Sequence, residues 1–278
     1  MTDTAKPPWL HYHLHLTDIG AAEKSAAQYL GPALTALENE GVVTSWHFLR
    51  KGDRWRLRYQ PPTPERADAA TAAVDAVLEN CRTSNVITGW TSVIYEPETL
   101  AFGGEEAMEV THRLFHLDSH RTLSYLRAVH SAQQVDHRRE LSVLLGIAMM
   151  RGAGLDWYEI GDTWATVAEN RPSARGVDPG RRLRNSVGAL LRADTGPTST
   201  LLTVGQLSFA APWFAAFTEC GRELRVLADN GRLRRGLRAV LARHQLFHAN
   251  RLGITHQHQA LLATAAATTV LGLTPEAS

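Results

Sequence analysis

The chain has 278 residues, 44% of them hydrophobic and 21% charged, with a formal net charge of +1. That balance excludes a global electrostatic drive toward nucleic acid, and the composition is that of a globular protein with a substantial core rather than a disordered or fibrous one. No apolar run reaches the roughly 18 residues that a bilayer span needs, and MTDTAKPP lacks the charged-then-apolar order of a secretion signal, so a cytoplasmic protein with no membrane partner is expected.

WLHYHLHL (9–16) alternates strictly, with Leu10, Tyr12, Leu14 and Leu16 on one face and His11, His13 and His15 on the other. Period two predicts a strand whose histidine face either lines a cleft or forms a half-exposed sheet surface. A helical pattern over 19–40 stops near Gly41, and 42–50 and 54–60 read as strands around the turn Lys51-Gly52-Asp53. Pro64 opens a helix to about Arg82, and 85–95 is a further strand. The order β-α-β-β-α-β is that of a ferredoxin-like split βαβ unit.

After Gly104 helical periodicity takes over, at 105–130, 137–152, 155–170, 179–193, 207–229 and 232–251. The breaks are Gly152-Ala153-Gly154, Arg171-Pro172-Ser173 and Asp229-Asn230-Gly231, with Asp156 and Asp178 as helix-start residues. The Ala/Thr-rich stretch near the C-terminus is assigned no element, and LTPEAS is expected to fray. The fold class is therefore α+β, with an α/β part over 1–104 and a mostly helical part over 105–278, or one continuous unit. Cys81 and Cys220 fall within helical stretches and read as buried reduced thiols. Residues 1–110 hold 9 Lys/Arg against 15 Asp/Glu, and the remainder 20 against 13. The arginines of RGVDPGRRLR (175–184) and GRLRRGLR (231–238) form either a solvated helix face or a surface for an acidic peptide; without interleaved aromatics they do not suggest nucleic acid.

No Gly-x-Ser-x-Gly elbow, Gly-x-Gly-x-x-Gly or Walker loop follows any strand, so triad hydrolysis and nucleotide binding have no support. His112, His116 and His120 share one helix face, and His244 and His248 repeat the spacing, but neither run contains the acid of a His-Glu-x-x-His zinc site. No metal is expected. YEPETLAFGGEEAM (95–108) joins the strand-rich and helical parts: Gly103-Gly104 permits a tight turn and close approach to a ligand, while Glu105 and Glu106 complement the following helix dipole or take part in chemistry. In HQLFHANRLGI (244–254), His248, Asn250 and Arg251 could move a proton and fix a carbonyl's charge, or simply end a helix before Gly253.

YEPETLAFGGEEAMEVTHRLFHLDSHRTLSYL (95–126), RRELSVLLGIAMMRGAGLDWYE (138–159) and HANRLGI (248–254), with Trp9-x-x-Tyr12 in the first strand, resemble the thiopeptide-type bacteriocin biosynthesis domain, related to the elimination domain of lantibiotic dehydratases. The resemblance implies either glutamate elimination from glutamylated Ser or Thr, or the joining of two dehydroalanines into a six-membered nitrogen ring. Eliminating members carry an arginine just before the aromatic-Gly-Gly and a histidine four residues before the Asn of Asn-Arg; here those positions are Ala101 and Leu246. The resemblance therefore favours a pyridine synthase with no cofactor, acting on a leader-bearing modified precursor peptide alongside other enzymes of its pathway. The alternatives are a split eliminating subunit and a non-catalytic precursor-binding subunit. His248, Tyr158, Glu96 and Ser119 are the acid/base candidates, and Tyr95, Glu98, Gly103, Gly104, Arg139, Asn250 and Arg251 the substrate-binding ones.

Overall fold

A computed structural model describes residues 7–52, 54–171 and 177–272. Asp53 of the expected turn, Pro172 and Ser173 of one expected break, and the expected fraying at 273–278 lie outside the described residues. By contact the chain divides into two units: 1–97 with 115–136, and 98–114 with 137–278.

In the first unit, β1 (Leu10–Leu16), β2 (Ser45–Lys51), β3 (Arg54–Gln60) and β4 (Ile87–Val93) form one sheet in the order β2-β3-β1-β4. Every neighbouring pair is antiparallel, as the split βαβ reading requires. The alternation in β1 resolves as expected. Tyr12 and Leu14 are buried beside Leu57 and Trp55 in register, and α3 (Ala67–Thr83) packs on this face, its Thr71 accepting from the Tyr59 hydroxyl and its Asp75 from Trp90 Nε1 at 2.9 Å.

The expected helix 19–40 is broken into α1 (Ile19–Ser25), a π-helical turn at Ala26–Leu30 and α2 (Gly31–Asn39). Pro32 accounts for the irregularity, since it lacks the N–H that would continue an α-helical ladder and its ring crowds the preceding turn. Helix α4 (Glu105–His130) begins at the expected boundary after Gly104, contributing residues 105–114 to the second unit and 115–130 to the first.

In the second unit, α5 (Arg138–Gly152) is buried continuously from Leu141 to Met150, which makes it a core helix rather than an amphipathic one. α6 (Trp157–Glu169) starts at Asp156 with a full capping box: Asp156 accepts from the Glu159 N–H, and the Glu159 carboxylate accepts from the Asp156 N–H. Asp178 accepts from the Gly180 N–H at the start of α7 (Gly180–Arg192), so both expected helix starts hold. α8 (Thr200–Thr203), α9 (Ala211–Asp229), α10 (Leu237–Arg251) and α11 (His256–Leu271) complete the unit. α11 corrects the sequence reading. Its alanines pack against α6, and Thr255 caps it by accepting from the His258 N–H. Cys81 and Cys220 are free and buried, and burial raises both thiols, Cys81 to about 11. No helix among the described residues is long and apolar enough to cross a membrane.

Candidate active site

The register of the sheet places His47, Arg58 and His11 in one row across β2, β3 and β1. All three are buried. Just beyond β4, Tyr95 sets its ring against them: the Arg58 guanidinium lies 4.7 Å from the ring centre, His11 at 5.8 Å and His47 at 6.2 Å. Trp9 meets His47 edge-on at 5.0 Å. Burial first, then the positive charge of Arg58, pushes His11 down to about 3, and His13 is lowered by burial and by Arg56. A neutral imidazole beside a guanidinium offers hydrogen bonds and a positive field to an oxygen that gains charge. Glu96 is exposed one residue beyond Tyr95.

On α4, Ser119 is fully buried. Its Oγ accepts from the Phe48 N–H at 3.1 Å and donates to the Phe115 carbonyl at 2.7 Å, so the hydroxyl covers the outer edge of β2. Ser119→Ala is expected to lower stability by about 1–2 kcal/mol, because a buried N–H loses its acceptor; urea unfolding measures it. His116 serves the same edge, its Nδ1 lying 3.1 Å from the Trp46 carbonyl and 3.3 Å from the Trp46 N–H. Together with His120 it faces Glu38 of α2, and these three could hold a metal ion. The acid that the histidine run lacks is thus supplied by another helix.

In the second unit, the turn before α4 lies on α10. The Glu98 carboxylate pairs with the Arg243 guanidinium, and Phe102 packs edge-on against His244 and Phe247, each at 5.0 Å. Gly103 and Gly104 have φ of +99° and +108°, and an added Cβ would meet Leu233 at 2.5 Å and Arg234 at 2.8 Å. The close approach that requires glycine is therefore to the chain itself, with the Gly103 carbonyl accepting from the Arg234 N–H at 2.7 Å. Glu106 pairs with Arg232.

His248 is buried edge-on between Phe217 at 4.8 Å and Trp213 at 5.7 Å. Asn250 Oδ1 accepts from Gln259 at 2.9 Å and Arg171 at 3.3 Å, and Arg251 is buried. Burial and the charge of Arg243 both lower Arg171. Tyr158, 69% exposed at the start of α6, and Arg139, exposed and 3.2 Å from the His258 ring, lie at the surface. The structure thus sets Glu98 on α10, which also carries His248, Asn250 and Arg251, and sets Gly103 and Gly104 against Leu233 and Arg234 just before that helix, while Tyr95, Glu96 and Ser119 belong to the first unit. Sequence reasoning missed Arg58, His47, Arg171, Arg243 and Glu38. Only Arg58 gave a signal, since Arg54, Arg56 and Arg58 alternate along β3 as the histidines do along β1, and pair with them on the same face.

The model for "Lantibiotic biosynthesis dehydratase C-term" matches residues 9–270. No match is found among curated proteins. Among solved structures, the chain is similar to the tRNA-dependent lantibiotic dehydratase MibB from Microbispora sp. 107891, with 19% identity and a TM-score of 0.66. The likeness covers 98% of this chain and 29% of MibB, so the chain spans under a third of that protein. It is also similar to TsrL (16% identity, TM-score 0.59, covering 96% of this chain and 99% of TsrL). The pyridine synthase TbtD from thiomuracin biosynthesis aligns at 15% identity and a TM-score of 0.59, over 96% of this chain and 98% of TbtD.

Proposed function

Because the chain belongs to the lantibiotic biosynthesis dehydratase C-terminal family, we propose that it is a biosynthetic enzyme of modified peptides, a pyridine synthase that joins two dehydroalanines of a leader-bearing precursor. One observation carries this reading over glutamate elimination. A departing glutamate needs a cation for its carboxylate and a base for the α-proton, and the two positions that supply them in eliminating relatives are apolar. Ala101 precedes the Phe-Gly-Gly turn, and Leu246 is buried with Val143, Trp164 and Leu262 around a small cavity.

In the ring-forming reaction a backbone amide shifts to its iminol, the oxygen gaining a proton and the nitrogen losing one, and with the adjoining alkene it becomes a 2-azadiene. The second dehydroalanine adds across its ends, forming two bonds. Loss of water and of the leader as its amide leaves the aromatic ring. The sheet face suits the first step: His11, neutral at physiological pH, and Arg58 donate toward the amide oxygen, Tyr95 orders the strand end, and Glu96 accepts the proton. Orientation of two alkenes of one peptide supplies the larger share, on the order of 7–11 kcal/mol. Within the first unit buried Ser119 acts as a positioning residue; within the second, buried His248 does the same for α10, exposed Tyr158 and Arg139 contact the peptide, Glu98, Asn250 and Arg251 shape the surroundings of α10, and Gly103 and Gly104 shape the turn that precedes α4.

A second reading has its own observation. Arg171 and Arg243, close enough to act on each other electrostatically, could take the carboxylate of a departing glutamate in exchange for the Glu98 carboxylate that Arg243 holds. Mass spectrometry separates the two readings. Purified protein incubated with a leader-bearing peptide carrying two dehydroalanines is expected to give a core lighter by one water and the released leader amide. If this peptide is unchanged and glutamate is instead lost from a glutamylated analogue, the eliminating subunit replaces the proposal; no change in either leaves a precursor-binding role.

A further inference from the structure

His116 and His120 stand one turn apart on α4, and Glu38 near the end of α2 lies between them: His116 Nε2 is 3.1 Å from one carboxylate oxygen and His120 Nε2 is 2.8 Å from the other. The three candidate ligand atoms all lie within 4.8 Å of one another. A tetrahedral zinc with bonds of roughly 2.0–2.1 Å holds its ligand atoms about 3.3 Å apart, so small side-chain rotations suffice to receive the ion.

Two further observations separate this trio from a chance ion pair. The Trp46 backbone anchors His116 through Nδ1, leaving Nε2 directed at the site, and a carbonyl partner on the far ring nitrogen is the usual support of a metal-bound imidazole. The His120 ring lies 4.3 Å from the Trp46 ring, which limits its rotation. A cavity of about 300 Å³ adjoins the trio, with His120 and Trp46 in its wall beside Gly31, Asn39 and Arg127. Three protein ligands with an open side are the arrangement of a site that keeps one position for water or a ligand.

We propose that Glu38, His116 and His120 bind a divalent transition metal, zinc in the first instance, with its remaining position open to this cavity. The site is separate from the Arg58–His11–Tyr95 group and does not depend on the proposed cyclisation. Two histidine nitrogens and one carboxylate suit zinc, and cobalt as its spectroscopic substitute, whereas magnesium and calcium prefer oxygen donors.

The chelator-treated full chain is titrated with zinc sulfate by calorimetry, and with cobalt by visible absorption. One equivalent of zinc is expected, with an intense tetrahedral cobalt spectrum and a thermal midpoint that rises with zinc. Glu38→Gln and His120→Gln should each weaken binding by at least the ~10–100-fold that loss of an outer-shell partner costs, whereas changing His256 and His258 of the second unit to alanine should leave it intact. Circular dichroism checks that the variants fold. Should they not, the cobalt spectrum and the stoichiometry of the unaltered chain still decide. Failure to bind one equivalent, a weak octahedral-type spectrum, or binding lost only in the His256/His258 variant would overturn the proposal.

Discussion

Gly221→Ala is expected to destabilise the protein by about 3 kcal/mol or more, even though the same change in an ordinary exposed helix interior gains about 1 kcal/mol. The reversal of sign follows from the crossing of α5 and α9. A Cβ on Gly221 would lie 2.1 Å from the Met149 carbonyl oxygen and 2.8 Å from the Ala153 nitrogen. Gly152 faces the opposite way across the same contact, where a Cβ would meet the Thr218 carbonyl oxygen at 2.3 Å. Backbone atoms cannot swing aside as a side chain can, so the helices must separate and Phe217 and Leu224, both fully buried on α9, lose packing. Gly236→Ala serves as control, since nothing lies within 4 Å of its added Cβ, and its effect should stay below about 1 kcal/mol. Urea unfolding midpoints at pH 7 provide the comparison; equal midpoints for wild type and Gly221→Ala would refute the close-crossing account.

The second large effect is a pH dependence that resides in one imidazole. His11 titrates near 6.5 in the unfolded chain and is pushed down to about 3 when folded, by burial and then by Arg58. Between those values the unfolded state binds a proton that the folded state refuses, so stability falls as the pH drops through this window and is unaffected by this group above pH 7. At pH 4.5 the penalty amounts to about 3 kcal/mol. His11→Gln removes the titration, so the variant should gain about that much relative to wild type between pH 7 and pH 4.5, whatever its stability at pH 7. A stability difference that stays constant over this range would show that His11 is free to protonate in the folded protein.

The first half of the fold was legible because its signals are local. Period-two alternation in 9–16 and the spacing of four strands around two helices are enough to give the split βαβ order, and Asp156 announces α6 through its own capping chemistry. α11 escaped because QALLATAAATTV contrasts apolar with small polar residues too weakly to mark one face, although alanine is the strongest helix former. The π-helical turn before Gly31 escaped because an interruption of this kind leaves the apolar spacing nearly intact.

The candidate site was less legible, for a different reason: its partners are distant in sequence. Glu38 lies 82 residues before His120, and Glu98 lies 145 before Arg243. No motif spacing encodes such pairs. The glycine pair at 103–104 was expected to approach a ligand, and spacing could not say that Leu233 and Arg234 are what it meets.

The way α4 seals one border of the sheet restricts how an extended peptide can be held by this unit. Strand addition requires a free row of backbone donors and acceptors, and on β2 the Trp46 carbonyl is already engaged by His116 and the Phe48 N–H by Ser119. A precursor segment that docked as a fifth strand would have to dislodge a helix there. β4, at the opposite end of the order β2-β3-β1-β4, pairs among the described residues with a strand on one side alone. A guest that extends this sheet without such displacement would therefore have to join at β4, the strand that leads to Tyr95.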